Sequence, residues 1–319
     1  MAVIYDGNLD KEMYKSVFSR AIEAIANEDP DVVYLDADLM NSVGTHGFWK
    51  RNKRQAINCG VSEANMMGVA AGLSAGGKKP YVHTFGPFAT RRCYDQSFIS
   101  IAYAGNSVRI FGSDPGVTAA FNGGTHMPFE DMALMRAIPD STVIDVSDGT
   151  QLEWVMHKIK DWSGLTYVRT TRKSYPAIYS KDHMFTIGKG EIILEGKDVT
   201  VIACGLMVSE AIKAAKQLKE KNISVRVVDM FTVKPIDADL VVKCANETKV
   251  VVTSENHNVI GGLGDAVGAV LMESGVPVKL KKVGVKDQFG SVGPQEYLQK
   301  HYGLTAEAIA EAVIAIAGR

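Results

Sequence analysis

The chain has 319 residues, of which 46% are hydrophobic and 22% charged, and its formal net charge is -1. This length accommodates two ordinary domains, and the small net charge gives no general attraction to nucleic acid or to anionic membranes. No apolar run approaches the roughly 18 residues of a membrane span, and residues 1–16 lack a signal-peptide layout. The four scattered cysteines form no CxxC pair and indicate reduced thiols. These features predict a soluble, cytoplasmic, globular protein.

Strands and helices alternate along the first half of the chain. An amphipathic helix is predicted over residues 11–27 and a basic loop over residues 43–58. Short apolar segments predict strands at residues 31–36, 80–85, 108–112, 142–146 and 165–170. This alternation favours a parallel, doubly wound sheet, in which ligands bind beyond the carboxyl ends of the strands.

A second, smaller α/β domain is predicted after residues 172–190, which lose periodicity and contain Pro176. We therefore expect domains at residues 1–180 and 190–319, joined by a linker. Gly261–Gly264 resembles part of a dinucleotide loop but lacks the third glycine, so a tight turn is the favoured interpretation. There is no P-loop, HExxH or GxSxG motif and no metal-ligand cluster in the sequence.

The segment Gly60–Leu73 is predicted to form a mostly buried helix with Glu63 in its first turn. An acidic residue stabilises a helix N-terminus, which is the structural interpretation of Glu63. Alternatively, a carboxylate sheltered by Met66 and Met67 can exchange a proton with a bound ligand. The segment alone leaves both interpretations open.

Three stretches resemble the pyrimidine-binding domain of transketolase: DADLMNS, the run from GVSEANMM to CYDQ, and GGTHMPFEDMALMRAIP. The residues after the linker resemble the transketolase C-terminal domain. The resemblance covers nearly the whole chain and points to the C-terminal subunit of split transketolases. It implies one half of a thiamine-diphosphate-dependent enzyme that moves a two-carbon ketol unit from a ketose to an aldose.

The resemblance also implies a partner subunit. The family's diphosphate-binding domain holds Mg²⁺ and the cofactor's diphosphate through a GDG motif followed by asparagines, and this sequence contains no such segment. We therefore expect the metal and the diphosphate to be held mainly by an N-terminal transketolase subunit. Family precedent implies self-association into a heterotetramer, and the lone chain is expected to be inactive and to bind the cofactor weakly.

The resemblance assigns cofactor-binding roles to five residues. Glu63 corresponds to the glutamate that hydrogen-bonds the aminopyrimidine ring and thereby activates the cofactor. Phe85 and Phe88 correspond to aromatic residues that flank the pyrimidine, although core packing explains them equally well without the resemblance. Arg91 replaces an aromatic residue at a third flanking position, and Asp38 corresponds to an aspartate near the thiazolium ring.

The substrate-binding residues implied by the resemblance include two departures from the family pattern. His126 corresponds to the histidine that contacts substrate oxygens near the reaction centre. Three residues fall near positions that hold the sugar's terminal phosphate: Arg20, Ser42 and Arg169. Asn122 stands where an aspartate normally contacts a sugar hydroxyl, and Asp114 where many members have a histidine. Because an unpaired acid repels phosphate, we hypothesise a modified sugar, such as a branched or sulfonated ketose, instead of the usual pentose phosphates.

The sequence is also compatible with other functions. The beta subunit of a 2-oxo acid dehydrogenase shares the two-domain layout, and it would be distinguished by a lipoyl-domain partner and by 2-oxo acid turnover. Deoxyxylulose-phosphate synthase is similar, but it is normally a single chain of about twice this length. A non-catalytic scaffold homologue is the third alternative. The GGTHMP loop and the FATRRCYDQ segment favour transketolase, a pentose-phosphate-pathway activity in the ordinary case.

Overall fold

The computed structural model describes residues 3–318 and divides the chain into two compact units. The first unit runs to Met184, except that Gly116–Ala133 and Asp145–Ser147 are grouped with the second unit. The second unit continues from Phe185. No helix between residues 3 and 318 is both long enough and apolar enough to cross a membrane.

The helices of the first unit flank a parallel sheet. They are α1 (Tyr14–Glu28), α2 (Met40–Val43), α3 (His46–Arg51), α4 (Glu63–Ala75), α5 (Gly86–Ala89), α6 (Asp131–Ala137), which starts in the segment grouped with the second unit, and α7 (Gly149–Lys158). The strands are β1 (Val32–Asp36), β2 (Ala56–Asn58), β3 (Lys79–Phe85), β4 (Val108–Ser113), β5 (Thr142–Asp145) and β6 (Leu165–Thr170).

These strands lie in the order β5-β6-β4-β3-β1-β2, and β6, β4, β3, β1 and β2 pair in parallel. All residues of β1, β4 and β6 are buried, as expected for strands covered on both faces. The sheet therefore presents the carboxyl ends of β1, β3, β4 and β6 side by side, and the polar residues that follow these strands come together there.

The second unit has its own sheet. The strands of this unit are β7 (Glu191–Leu194), β8 (Val199–Ala203), β9 (Val225–Asp229), β10 (Thr232–Lys234), β11 (Val250–Asn258) and β12 (Lys279–Val285), and β10 is not part of this sheet. Its helices are α8 (Leu206–Glu220), α9 (Ala238–Thr248), α10 (Leu263–Ser274), α11 (Gln295–Tyr302) and α12 (Ala306–Ala317). The strand order is β12-β11-β8-β9-β7, in which only the β7–β9 pair is antiparallel. The prediction of two α/β folds with mostly parallel sheets is confirmed.

Some local predictions differ from the structure. The segment predicted as a basic loop contains α3 and β2, because the buried Phe48 and Ala56 anchor its two ends. The predicted linker is ordered over its first half: Tyr179 is buried, and the backbone N–H groups of Ile178 and Tyr179 donate to Asp148 at 2.9 and 2.8 Å. The helix predicted after Phe88 is a 3₁₀ turn followed by a π-helical segment at Gln96–Tyr103.

Candidate active site

Glu63 opens α4 and is almost fully buried, with 4% of its side chain exposed. Met66 and Met67, one turn further along, are completely buried, as predicted. Each carboxylate oxygen lies 2.9 Å from Nη1 of Arg92, whose side chain is 46% exposed. The partner of this buried carboxylate is therefore a half-exposed side chain from outside α4, and loss of this contact would leave the backbone hydrogen bonds of the helix intact.

Arg92 begins a continuous series of contacts across the strand ends. Its guanidinium lies 4.0 Å from the centre of the Phe88 ring, and the Phe88 and Phe85 rings meet edge to face at 6.3 Å. The Arg172 guanidinium lies 5.0 Å from the centre of the Phe85 ring and bonds Asp114. We call this series the strand-end row; its members in order are Glu63, Arg92, Phe88, Phe85, Arg172 and Asp114.

Asp114 closes the row just beyond β4. Its side chain is 1% exposed, its backbone has a left-handed φ of 55°, and Arg172 Nε donates to its carboxylate at 2.7 Å. The paired aspartate therefore does not present a bare negative charge, and the Arg172 side chain, 27% exposed, provides a cation at the surface. Burial lowers the pKa of the neighbouring Lys173, an effect that Asp114 opposes and Arg172 reinforces.

A buried hydrogen-bonded line crosses the sheet beneath the row. Asp36 on β1 accepts from the Tyr34 hydroxyl at 2.6 Å and lies 2.8 Å from His83 Nδ1. His83 Nε2 lies 3.1 Å from the hydroxyl of Ser113, the residue before Asp114. Burial, together with Asp36, raises the pKa of Tyr34 well above its usual range. This line ties the carboxyl ends of β1, β3 and β4 together.

The remaining predicted cofactor residues, Asp38 and Arg91, and the predicted substrate residue Ser42 lie near strand ends or in short helical segments of the first unit. Asp38 follows β1, is exposed, has a left-handed φ of 67° and accepts from Asn58 Nδ2 at 2.8 Å. Non-glycine residues in this region are uncommon and concentrate at functional sites. Arg91 is exposed at the start of the 3₁₀ turn that also contains Arg92, and Ser42 is half-buried in α2.

His126 and Asn122 belong to a loop that is grouped with the second unit. Asn256 on β11 accepts from Val117 N–H at 3.0 Å, which fixes the beginning of this loop. Gly124 packs so closely on Gly290 that a Cβ there would overlap the Gly290 carbonyl oxygen. His126 is half-exposed and its Nδ1 lies 2.9 Å from the Thr125 hydroxyl. The second unit therefore holds the histidine loop in its conformation.

The two arginines predicted to bind phosphate do not belong to the strand-end row. Arg20 on α1 is held by Glu12, at 3.1 Å, and by Glu153. Arg169 is completely buried within β6. Their roles stay predictions, and sequence reasoning missed the better placed Arg172 and Arg92. Arg172 lies two residues beyond the last residue of β6, so the rule that ligands bind past strand ends could have identified it.

The glycines at Gly261–Gly264 form the start of α10. The Glu255 carboxylate accepts from the backbone N–H groups of Leu263 and Gly264 at 2.7 and 2.9 Å. This carboxylate occupies the place that a dinucleotide phosphate would need. Within residues 3–318, no group of three or more His, Cys, Asp or Glu side chains is arranged to hold a metal ion.

Family comparisons assign both parts of the chain. Residues 10–177 match the transketolase pyrimidine-binding domain, and residues 188–309 match the transketolase C-terminal domain. The 6-deoxy-6-sulfo-D-fructose transketolase subunit of a Clostridium species, strain MSTE9, is 44% identical over 308 residues, which cover 97% of this chain and 95% of that protein.

Two further relatives bear on the organisation of the protein. Rat transketolase is 35% identical over 95% of this chain, and the match covers 49% of the rat protein. A solved structure described as a split gene transketolase, an inactive beta4 tetramer, superposes with a TM-score of 0.87 at 40% identity. That match covers 96% of this chain and 98% of the solved chain.

Proposed function

Because the chain belongs to the transketolase family, we propose that it is one subunit of a split, thiamine-diphosphate-dependent transketolase. The proposed reaction moves a two-carbon ketol unit from an anionic ketose to an aldose. The observation that carries this proposal is the strand-end row, in which a buried carboxylate ends a series of aromatic rings and guanidinium groups.

The residues at the Glu63 end of the row fit an aminopyrimidine. The Arg92 guanidinium is a planar group that donates N–H to Glu63 and lies over the Phe88 ring at 4.0 Å. A planar heterocycle with ring and amino nitrogens can make the same two contacts, so Arg92 occupies a position that suits the pyrimidine. Phe85, Asp38 and the exposed Arg91 are proposed to complete the cofactor surface. When bound, the cofactor supplies the carbanion that cleaves the carbon–carbon bond.

The proposed role of Glu63 is to hold a proton at its carboxylate oxygen, facing a ring nitrogen. Its 4% exposure excludes bulk water from that hydrogen bond. Mg²⁺ and the diphosphate tail are proposed to bind mainly to the partner subunit. A match that covers 49% of rat transketolase supports this division of the site.

We propose that Arg172 binds the anionic end of the sugar. Asp114 orients its guanidinium, and two charged hydrogen bonds from an arginine suit either a phosphate or a sulfonate. The 44% identity to a sulfofructose transketolase subunit supports a sulfonated ketose as the donor. His126, Asn122 and Ser42 are proposed to contact sugar oxygens, while Arg20 and Arg169 remain less well placed for a direct role.

The proposed assembly is a heterotetramer of two copies of this chain and two N-terminal subunits, located in the cytoplasm. The solved neighbour described as an inactive tetramer of one subunit type supports the expectation that this chain alone is inactive. The domain limits at residues 1–180 and 190–319 remain part of the proposal.

Co-expression with the product of the neighbouring reading frame tests the proposal. Each chain alone and the mixture are assayed for ketol transfer with thiamine diphosphate and Mg²⁺, across phosphorylated, branched and sulfonated ketoses. We expect activity only in the mixture. Turnover of 2-oxo acids with a lipoyl acceptor would favour the dehydrogenase alternative. Complex formation without activity on any substrate would favour the scaffold alternative, and xylulose 5-phosphate with ribose 5-phosphate as the best pair would refute the modified-sugar hypothesis.

A further inference from the structure

The second unit contains a cavity of about 540 Å³ that has no part in the proposed reaction. The strand β12, the end of α11 and one face of α12 form its walls. The charged and titratable side chains that line it are mostly basic: Lys281, Lys282, Lys286, Lys300, His301, Tyr302 and Glu311. A volume of this size suits a small organic molecule.

Three of these lysines have no carboxylate partner among residues 3–318. Lys282 is neutralised by Asp265 and also donates to the Val259 carbonyl oxygen at 3.1 Å. Across residues 3–318, by contrast, Lys281, Lys286 and Lys300 form no ion pair with an Asp or Glu side chain. Glu311 is the single carboxylate of the lining, so the cavity has an excess of positive charge that attracts anions.

The remaining wall is apolar and small. Ala308, Ala312 and Ala315 of α12 follow the i, i+4, i+7 spacing and therefore lie on one helix face. Larger side chains on that face would fill the volume. Alanines on one side and lysines on the other can accommodate a short carbon skeleton that carries charged oxygens.

We propose that this cavity binds a small organic anion of at least two negative charges that carries a phosphate or sulfonate group. The same tetrahedral oxyanion would be recognised in either case, and the lysines come from three separate elements: Lys281 from β12, Lys286 from the loop after it and Lys300 from α11. This convergence distinguishes the cavity from ordinary edge-strand protection, in which exposed lysines along a strand prevent further strand pairing.

Lys279 provides a matched control for this distinction. It is exposed on β12, the edge strand of its sheet, two residues before Lys281, and it does not line the cavity. The Lys279→Gln variant removes the same charge from the same strand. A Lys281→Gln/Lys300→Gln double variant removes two exposed charges from the cavity instead, and neither change disturbs a buried side chain.

The test is isothermal titration of the full two-subunit complex with 3-phosphoglycerate and, separately, with 3-sulfolactate. We expect saturable binding to the unaltered complex and to Lys279→Gln, and at least about tenfold weaker binding to the double variant. An Arg172→Met variant, which lacks the anion-binding arginine of the first unit, is expected to bind these probes unchanged.

The proposal is overturned if neither probe saturates by about 10 mM, if Lys279→Gln weakens binding as much as the double variant does, or if Arg172→Met abolishes it. The last result would assign the anion to the strand-end row instead. A failure of the ketol-transfer proposal leaves this titration unaffected, because its readout is binding and not turnover. The ratio of the two probe affinities shows which of the two anions the cavity prefers.

Discussion

Each unit of the molecule contains a buried glutamate whose carboxylate lies at the N-terminus of a helix. The two glutamates differ in the groups that hydrogen-bond the carboxylate. Glu255 accepts hydrogen bonds from two backbone N–H groups of α10, and these donors cannot leave without unwinding the helix. Glu63 lies at the start of α4 but pairs with the exposed side chain of Arg92. The structural Glu255 and the candidate catalytic Glu63 are thus both buried, and the carboxylate of each lies at a helix N-terminus. They differ because Glu63 pairs with a side chain that a ligand can displace.

The largest expected effect comes from Glu63→Gln. The amide keeps the size of the side chain but cannot hold a proton as the carboxylate does, so kcat of the two-subunit enzyme should fall about 10²- to 10⁴-fold. Because the lost ion pair is half-exposed on the Arg92 side, the free energy of unfolding should change by less than about 1 kcal/mol. Steady-state kinetics and denaturant unfolding of the same preparation measure both quantities. Retention of full activity would make Glu63 a structural residue.

Glu255→Gln is expected to show the opposite pattern. Replacement of the carboxylate weakens two buried hydrogen bonds to charged oxygen and should destabilise the second unit by about 2 kcal/mol. Activity per folded molecule should remain within about twofold, because no residue of the strand-end row is altered. Chemical denaturation gives the stability, and activity normalised to folded protein gives the comparison. A large loss of kcat without destabilisation would erase the difference between the two glutamates.

Arg172→Met tests the other end of the strand-end row. Removal of the guanidinium should raise KM for an anionic ketose about tenfold or more while the holoenzyme keeps its affinity for thiamine diphosphate. Arg20→Met serves as a control, since Arg20 is an exposed arginine that already pairs with two carboxylates on the surface. The KM of the Arg20→Met variant for the same ketose should stay within about twofold of the KM of the unaltered enzyme. If Arg20→Met raised KM more than Arg172→Met, the assignment of the anion site would be reversed.

The sequence predicts the fold well, since the alternation of apolar strands with helices is itself the signature of parallel sheets. The edge strand β7 escaped prediction, because its four residues pair only with β9 and three of them are half-exposed. The π-helical segment at Gln96–Tyr103 also escaped prediction, because its apolar pattern does not differ clearly from that of an α-helix. The local sequence pattern thus distinguishes a helix from a strand more reliably than it distinguishes a π-helix from an α-helix.

The candidate site is less accessible to sequence reasoning. Glu63 and Phe85 could be assigned from motif resemblance, but both arginines of the strand-end row depend on tertiary contacts. Arg172 reaches Asp114 across 58 positions of sequence, and Arg92 reaches Glu63 across 29. Nor does the sequence indicate that Asp114 is paired, and this pairing weakens the argument that its charge repels an anionic sugar.

The smallest expected effect concerns Arg92, the partner that distinguishes Glu63 from Glu255. In the proposed binding mode an aminopyrimidine displaces Arg92 from the carboxylate, so the ion pair opposes cofactor binding by its own stability. Half-exposed pairs contribute up to about 1 kcal/mol, and Arg92→Met should therefore tighten thiamine diphosphate binding to the two-subunit complex about two- to fivefold. Methionine keeps an apolar chain against Phe88. Isothermal titration measures the change. The Arg92→Lys variant keeps the charge, and its affinity for thiamine diphosphate should lie between those of the unaltered complex and of Arg92→Met. Weaker binding by Arg92→Met would mean that Arg92 contacts the cofactor directly, and the exchangeable partner of Glu63 would then be part of the binding surface and not a competitor for it.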